Sequence, residues 1–387
     1  MAPIASRDRV AAALRHEEPD RVPFNMSLTL DAYVRLRAHL GMAADPSATV
    51  DRLSEVRPGM DLVERLGIDL TYVRLRGVPS RHLVEPHVEG NHIDEWGAEH
   101  GVLQLPGGSH LTEVVRSPVA GLEPDDIDLD AYPWPDPDDP ARTAGLEEEA
   151  RRIYTETDLA ITGRFGGPIL ETAFYIRGYQ QWMEDLVAEP EFAIALLDRV
   201  ADIMIRLDAA GIRAAGRYLT ILRVSGEDLG MQDRTLFSPA TWRDILRPVL
   251  ARRWKAARRL LDEVAPEASL LLHSDGSFRE FIPDLIADGI QVLDPLQVHI
   301  PGMDADGLKR DFGARLAYHG AIDTQDLLPF RSPSAVAAET ERCIRALGPG
   351  GGYILAPVHN VQPDVPPENL VAMVETLNRV GRYPIAN

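Results

Sequence analysis

Leu270-Leu271-Leu272-His273-Ser274-Asp275 is a short apolar run that ends in a His-x-Asp motif, and its reading decides the fold. A second run, Tyr353-Ile354-Leu355-Ala356, stands just before His359. Each is short enough for a buried strand and is followed by a turn and a helical pattern. A strand ending in His-x-Asp and a later strand ending in His would aim three metal-ligating side chains at one point.

Working outward from these two runs, further strand-like segments fall at 22–26, 69–75, 159–163, 219–224, 290–295 and 315–319. With 269–273 and 353–357 they make eight, each followed by loop signals and then helix. Nearly continuous apolar character suits strands covered on both faces, and the alternation predicts a (β/α)8 TIM barrel. Ser238-Pro239 opens a long helical pattern through Glu263, Ser277-Phe278-Arg279-Glu280 reads as a capping box, and Pro366-Pro367-Glu368 starts the last helix. Two stretches interrupt the pattern. Residues 80–117, with Asp94-Glu95-Trp96-Gly97 and Pro106-Gly107-Gly108, read as a hairpin segment inserted after the second strand, a lid or pocket wall. Residues 121–142, dense in Asp and Pro, read as a surface linker. Residues 1–387 are expected to form one barrel domain.

Composition narrows the function. The net charge of −20 would repel a phosphate backbone. The nearest basic stripe, Arg252-Arg253, Lys255 and Arg258-Arg259, is interleaved with apolar residues at helical spacing and reads as one face of a packed helix. No nucleic-acid partner is expected. Cys343 is the only cysteine, so an internal disulfide and a cysteine-based zinc site are excluded, and a small buried residue is the reading preferred. No apolar stretch approaches a membrane span, and the N-terminus is charged where a signal peptide would be apolar. A soluble cytoplasmic protein with a small-molecule substrate is expected.

Barrel active sites lie at the C-terminal strand ends, and the polar residues fall there repeatedly. Asn25 and Ser27 follow the first strand, Arg164 the third, and Ser225-Gly226-Glu227-Asp228 the fourth. His273-Ser274-Asp275, then Asp294 with Gln297, His319 with Asp323, and His359-Asn360 complete the ring. Such a ring argues for a polar pocket, because unpartnered charge inside a barrel is costly. His273, His359, Asp275 and either Glu227 or Asp228 offer nitrogen and oxygen ligands suited to zinc or another first-row divalent ion. The alternative is that the histidines hydrogen-bond carboxylates and brace the loops; His-x-Asp alone is a weak motif. Arg164 could hold a substrate carboxylate or pair with Glu171 or a neighbouring strand-end acid. Asn25 and His319 are expected at the pocket mouth, with Trp96, Tyr179 and Trp182 as an aromatic wall. Histidines at 82, 87, 92, 100 and 110 read as scattered surface residues of the hairpin segment.

Several stretches together resemble the uroporphyrinogen decarboxylase-like superfamily. They are Arg7-Asp8-Arg9-Val10 through Leu14-Arg15-His16-Glu17-Glu18-Pro19-Asp20-Arg21-Val22-Pro23, and Gly226-Glu227-Asp228-Leu229-Gly230-Met231-Gln232. The turn from His273 to Gly276, His319-Gly320-Ala321-Ile322-Asp323-Thr324-Gln325, and the tail from Gly350 to Pro366 complete the set. The resemblance implies a TIM barrel, and members that are either the porphyrinogen decarboxylase or zinc-dependent methyltransferases working with corrinoids, thiols and methoxylated compounds. It also suggests a homodimer. The departures are informative. The decarboxylases carry an Arg-Gln-Ala-Gly-Arg segment after the first strand, where this chain has Phe24-Asn25-Met26-Ser27-Leu28-Thr29-Leu30. Their acidic residue near the second strand has a counterpart in Asp69. Thiol-activating members use His-x-Cys and a distant Cys, at positions matched here by His273, Asp275 and Val358; both sulfurs are missing, and His359 lies beside the second.

The expectation is a metal-dependent transferase, with His273, Asp275, His359 and Glu227 holding zinc or a similar ion and Asp228 either as acid/base or supporting the metal ligands from behind. A methyl group would leave a methoxylated or methylated small substrate for a corrinoid carried by a separate protein. The alternatives are a decarboxylase or carbon–carbon lyase using Arg164 and Asp69, and a non-catalytic ligand-binding barrel.

Overall fold

A computed structural model describes residues 4–46, 48–50, 55–82, 84–104, 110–224 and 226–385. Seven of the predicted strands are present: β1 (Leu70–Arg74), β2 (Ala160–Arg164), β3 (Ile221–Val224), β4 (Ser269–His273), β5 (Val292–Leu296), β6 (Ala317–Ile322) and β7 (Tyr353–Pro357). They form one parallel sheet in chain order, with helices following the strands, a TIM-barrel-like α/β fold.

The predicted first strand takes a different form. Residues 22–26 run extended between the sheet's two edges but form only a single bridge, Phe24 to Leu355. On the β7 side the Asn25 N–H donates to the Leu355 carbonyl and the Leu355 N–H to the Pro23 carbonyl. On the β1 side the Asp69 N–H donates to the Phe24 carbonyl at 2.8 Å, while the Phe24 N–H turns to the Asp69 side chain, also at 2.8 Å. Pro23 has no N–H to give on the β7 side, and on the β1 side the Asp69 carboxylate, not a backbone carbonyl, accepts the Phe24 N–H.

Period-two alternation then organises the lumen. Leu70, Ala160, Ile221, Leu271, Val292, Ala317 and Ile354, one from each strand, form an apolar layer capped by Val10 from helix Ser6–Leu14. Two residues further along each strand stand Tyr72, Thr162, Arg223, His273, Asp294, His319 and Ala356. The second layer is mostly polar and lies nearer the C-terminal strand ends. The fold thus closes one end of the barrel with hydrocarbon and lines the other with hydrogen-bonding groups.

Asp69, expected as a catalytic residue, stands at the closed end, away from the polar strand ends. It is fully buried before the first residue of β1. Its carboxylate accepts from Ser6 Oγ (2.7 Å), Arg9 Nη1 (2.6 Å), Arg21 Nη1 (2.7 Å) and the Phe24 N–H. This carboxylate ties the first helix, the closing segment and β1 together.

Between β1 and β2 in the chain, His92–Ile93, Glu99–Gln104 and His110–Arg116 pair antiparallel; Pro106-Gly107-Gly108 lies outside the described residues. A second small sheet of Leu28–Thr29, Glu55–Arg57 and Thr49–Val50 brings Glu55 to the lumen mouth. The Asp/Pro-rich stretch forms turns, with Tyr132 and Trp134 packed on the core. Ser277 does not close its capping box; its hydroxyl donates instead to the Pro301 carbonyl at 2.7 Å. In helix Arg247–Val264 the stripe is not wholly solvated: Arg253 is fully buried against Asp208 at 2.7 Å. Cys343 is buried in helix Pro333–Leu347. Among the described residues no helix is long and apolar enough to cross a membrane.

Removing the Asp69 carboxylate leaves Arg21 without a carboxylate and Arg9 with Asp20 alone, and loss of one partner from a buried ion pair costs about 3–5 kcal/mol. Asp69→Ala is therefore expected to lower the urea unfolding midpoint sharply; an unchanged midpoint would show that the network does not hold the barrel shut.

Candidate active site

The polar layer opens into a cavity of about 360 Å³ at the C-terminal strand ends, at the small end of the range for small-molecule sites. Its floor includes Leu70, Ile221 and Leu271, and its walls carry Asn25, Arg164, Arg223, Asp228, His273, Asp275, Asp294, His319 and His359. Short strands deliver these side chains and tight loops fix them. The Ser274 N–H donates to the Asp294 carbonyl (2.7 Å) and its hydroxyl accepts from the Leu229 N–H (3.0 Å), locking the turn after β4 to the loop after β3. Gly276, at a φ of +86°, lies so close against Gly230 that a side chain there would collide with backbone.

Asp294, on β5, is shared by two imidazoles. His273 Nδ1 lies 2.8 Å from one carboxylate oxygen and His319 Nδ1 lies 2.6 Å from the other. With both Nδ1 atoms taken, the Nε2 atoms are aimed. His319 Nε2 meets the Asn25 amide at 3.0 Å, and His273 Nε2 faces Asp275 Oδ2 at 3.5 Å. Burial alone would raise the Asp294 pKa, but His319 and His273 override it and hold the carboxyl well below the ordinary range. Burial and Arg223 both disfavour the His273 imidazolium, yet hydrogen bonds to Asp275 and Asp294 push its pKa up to about 9.

One potential ligand atom from each of His273, Asp275 and His359 lies within 4.8 Å of the others. Two imidazoles and a carboxylate suit zinc or another first-row divalent ion. Asp294 behind His273 is the carboxylate–histidine arrangement that fixes a ligand's tautomer and orientation. The residues present fit such an ion. Among the described residues, the hairpin histidines form no second cluster of three; His92 stacks on His100, which meets Asp94 at 2.9 Å.

Glu227 does not join this group. Its fully buried carboxylate accepts the Ile169 N–H (2.7 Å) and the Leu170 N–H (2.8 Å), capping helix Ile169–Arg177. Arg253 stands behind it at 3.7 Å. Its neighbour Asp228 faces the cavity and accepts the Asp275 N–H at 3.0 Å. Burial first, and Asp275 second, raise the Asp228 pKa. Ser225 lies outside the described residues.

Arg164 lines the cavity but is occupied: it donates to Glu55 at 2.6 Å and lies over the Tyr72 ring at 4.2 Å. The expected aromatic wall does not form. Trp96 is buried in the hairpin segment against Trp134, and Trp182 is buried beside Phe174. Tyr179 begins a helix on the outside and is 56% exposed. Sequence reading overlooked Arg223 and Glu55, named Glu171 only as a partner for Arg164, and named Asp294 only as part of the ring. A charge within an otherwise apolar four-residue strand was the available signal for Arg223. Glu171 lines the cavity and accepts from Tyr175 OH at 2.7 Å. Its pKa is raised, chiefly by burial, with the Tyr175 bond opposing and Asp228 adding.

A family model for uroporphyrinogen decarboxylase (URO-D) matches residues 113–380, and the chain belongs to that family. The uroporphyrinogen decarboxylase of Alkalilimnicola ehrlichii is 26% identical over 397 residues, covering 98% of this chain and 96% of the relative. That of Serratia proteamaculans is 26% identical over 269 residues, covering 66% and 69%. Among solved structures, a methyltransferase from Methanosarcina mazei superposes with a TM-score of 0.65 at 19% identity, over 97% of this chain and 99% of its own. That likeness establishes the shared fold.

The placement of Glu227 predicts a variant that separates stability from metal binding. Glu227→Ala leaves two buried N–H groups without acceptors, at about 1–3 kcal/mol each. It is expected to lower the melting temperature while zinc bound per folded chain stays at the wild-type level. Loss of zinc from folded Glu227→Ala would return Glu227 to the ligand set.

Proposed function

We propose that the chain is a metal-dependent transferase that removes a methyl group from a small methoxylated or methylated substrate for a corrinoid acceptor on a separate protein. The observation that carries this reading is the convergence of His273, Asp275 and His359, with Asp294 fixing the His273 ring. Zinc is the ion the donor set favours, and when bound it supplies Lewis acidity toward a substrate oxygen.

The chain's own groups perform the remaining tasks. When the methyl group departs, the substrate oxygen keeps the bonding electron pair and needs a proton. Glu171 and Asp228 both line the cavity with raised pKa values, so each keeps a proton at higher pH than an ordinary carboxyl. Glu171, steadied by Tyr175, donates that proton, and Asp228 holds the Asp275 backbone in place. Asn25 and His319 complete a polar wall that excludes loose water. The absence of the arginine-bearing segment after residue 24, and the modest cavity, favour a substrate smaller than a tetrapyrrole.

Decarboxylation of a small carboxylate is the second reading, favoured by the curated relatives and by arginine in the cavity. It releases carbon dioxide without an acceptor, whereas methyl transfer consumes one.

Metal content by mass spectrometry, wild type beside His273→Ala, is the primary test. Near-stoichiometric zinc lost in the variant, with demethylation only when a corrinoid protein is supplied, is the expected result. Wild-type protein that takes up no divalent ion would overturn the proposal. A second prediction concerns Glu171. Its neutral form does the work, so activity should fall as pH rises through its raised pKa. Glu171→Gln should lose that alkaline limb and lower kcat by about 10²–10⁴-fold. The loss should be largest for aliphatic methoxy substrates, whose departing oxygen is most basic, and an equal loss on phenolic ones would refute the acid role.

A further inference from the structure

Arg223 stands apart from the other arginines of the interior. It lies on β3, two residues beyond the apolar layer, and lines the cavity. The buried arginines elsewhere each hold a carboxylate at hydrogen-bonding range: Arg9 with Asp69, Arg37 with Asp61, Arg142 with Glu95, Arg177 with Asp185 and Arg253 with Asp208. Arg223 does not. Its Nε is buried without a hydrogen-bond partner, and its nearest carboxylate oxygen, on Asp294, is 3.8 Å away. That oxygen is already engaged by His273 at 2.8 Å. Arg164, the other cavity arginine, is taken by Glu55.

An interior guanidinium with no carboxylate at hydrogen-bonding range is costly. Burial first, and the Arg164 charge second, depress the Arg223 pKa, against the opposing pull of Asp294, Glu55 and Asp275. A ligand anion placed on the guanidinium relieves that cost. We propose that Arg223 is the anchor for a carboxylate on the substrate, so that the cavity selects small carboxylates over their neutral analogues. Resting on the reading above, this makes the substrate a methoxylated or methylated carboxylate. The planar fork of arginine matches a carboxylate in two-point contact. A phosphate dianion fits less well, because Glu55, Glu171, Asp228, Asp275 and Asp294 surround the same cavity. β3 pairs with β4 in the register Arg223 to Leu271. The anchor therefore sits beside and below His273, and a short molecule can span from it to the His/Asp cluster.

The test is calorimetric binding to the full chain with its metal as isolated. The probes are methoxyacetate against methoxyacetamide, 4-methoxybenzoate against 4-methoxybenzamide, and 4-methoxyphenyl phosphate. Wild type is expected to prefer at least one carboxylate over its amide by about tenfold or more, the span of a charge-assisted hydrogen bond. Arg223→Met, checked by thermal melting, should erase that preference, and Arg223→Lys should keep part of it. Should Arg223→Met fail to fold, the partial loss in Arg223→Lys carries the test. Equal binding of acid and amide, no carboxylate binding at about 10 mM, a stronger phosphate response, or a preference surviving in Arg223→Met would each overturn the proposal. Carboxylate selectivity without demethylation would leave the anchor standing and remove the methyl-transfer reading. Demethylation confined to neutral substrates would do the reverse.

Discussion

The site depends on one carboxylate held in the middle of the lumen. Asp294 commits one oxygen to His273 and the other to His319, and so fixes three strands, β4, β5 and β6, by their side chains as well as their backbones. In surroundings of low dielectric such contacts are stronger than in water, and an unmatched charge is correspondingly more expensive. Once both Nδ1 atoms are bound, the Nε2 atoms have one direction each. The direction of both imidazoles is thus set in the cavity wall, by a carboxylate whose two oxygens are already engaged.

Such a network is tolerable only because the barrel separates it from the hydrocarbon that stabilises the fold. The apolar layer from Leu70 to Ile354, plugged by Val10, lies at one end. At that same end Asp69, Arg9 and Arg21 close the ring where Pro23 breaks the ladder. One acidic residue therefore serves stability and another serves the site, although both stand in or beside strands. Their difference is the strand end: residues before a barrel strand support the fold, and those at its C-terminal end meet substrate.

This distinction explains what was legible in the sequence. Seven strands were readable as apolar runs, and His273, Asp275 and His359 were readable as groups at the ends of two of them. Asp69 opens the run 69–75, so its place at the N-terminal strand end was legible, and its catalytic role came from the resemblance alone. Glu227 and Asp228 are adjacent, so either could face the pocket; the choice was made by helix Ile169–Arg177, whose free N–H groups take up the Glu227 carboxylate. Trp96 packs on Trp134, distant in sequence, which no local pattern reveals, while Tyr179 stands on an outer helix beside Phe174. Arg223 was in plain view within an apolar strand, but its significance is that no carboxylate meets it at hydrogen-bonding range. Only the placement of the surrounding acids makes that visible.

The ligand set and the anchor point to the same kind of chemistry. Two thiolates and a histidine would neutralise a divalent ion, whereas two histidines and Asp275 would leave it a net charge of +1. Such a centre, with Arg223 below it, favours anionic oxygen over sulfur. The chain as a whole carries −20, and a uniformly acidic surface would repel a carboxylate. At physiological ionic strength that repulsion fades over about 8 Å, while contacts inside the lumen are screened far less. An acidic exterior and an anion-selective interior are therefore compatible. The selectivity comes from one guanidinium to which the fold gives no carboxylate at hydrogen-bonding range.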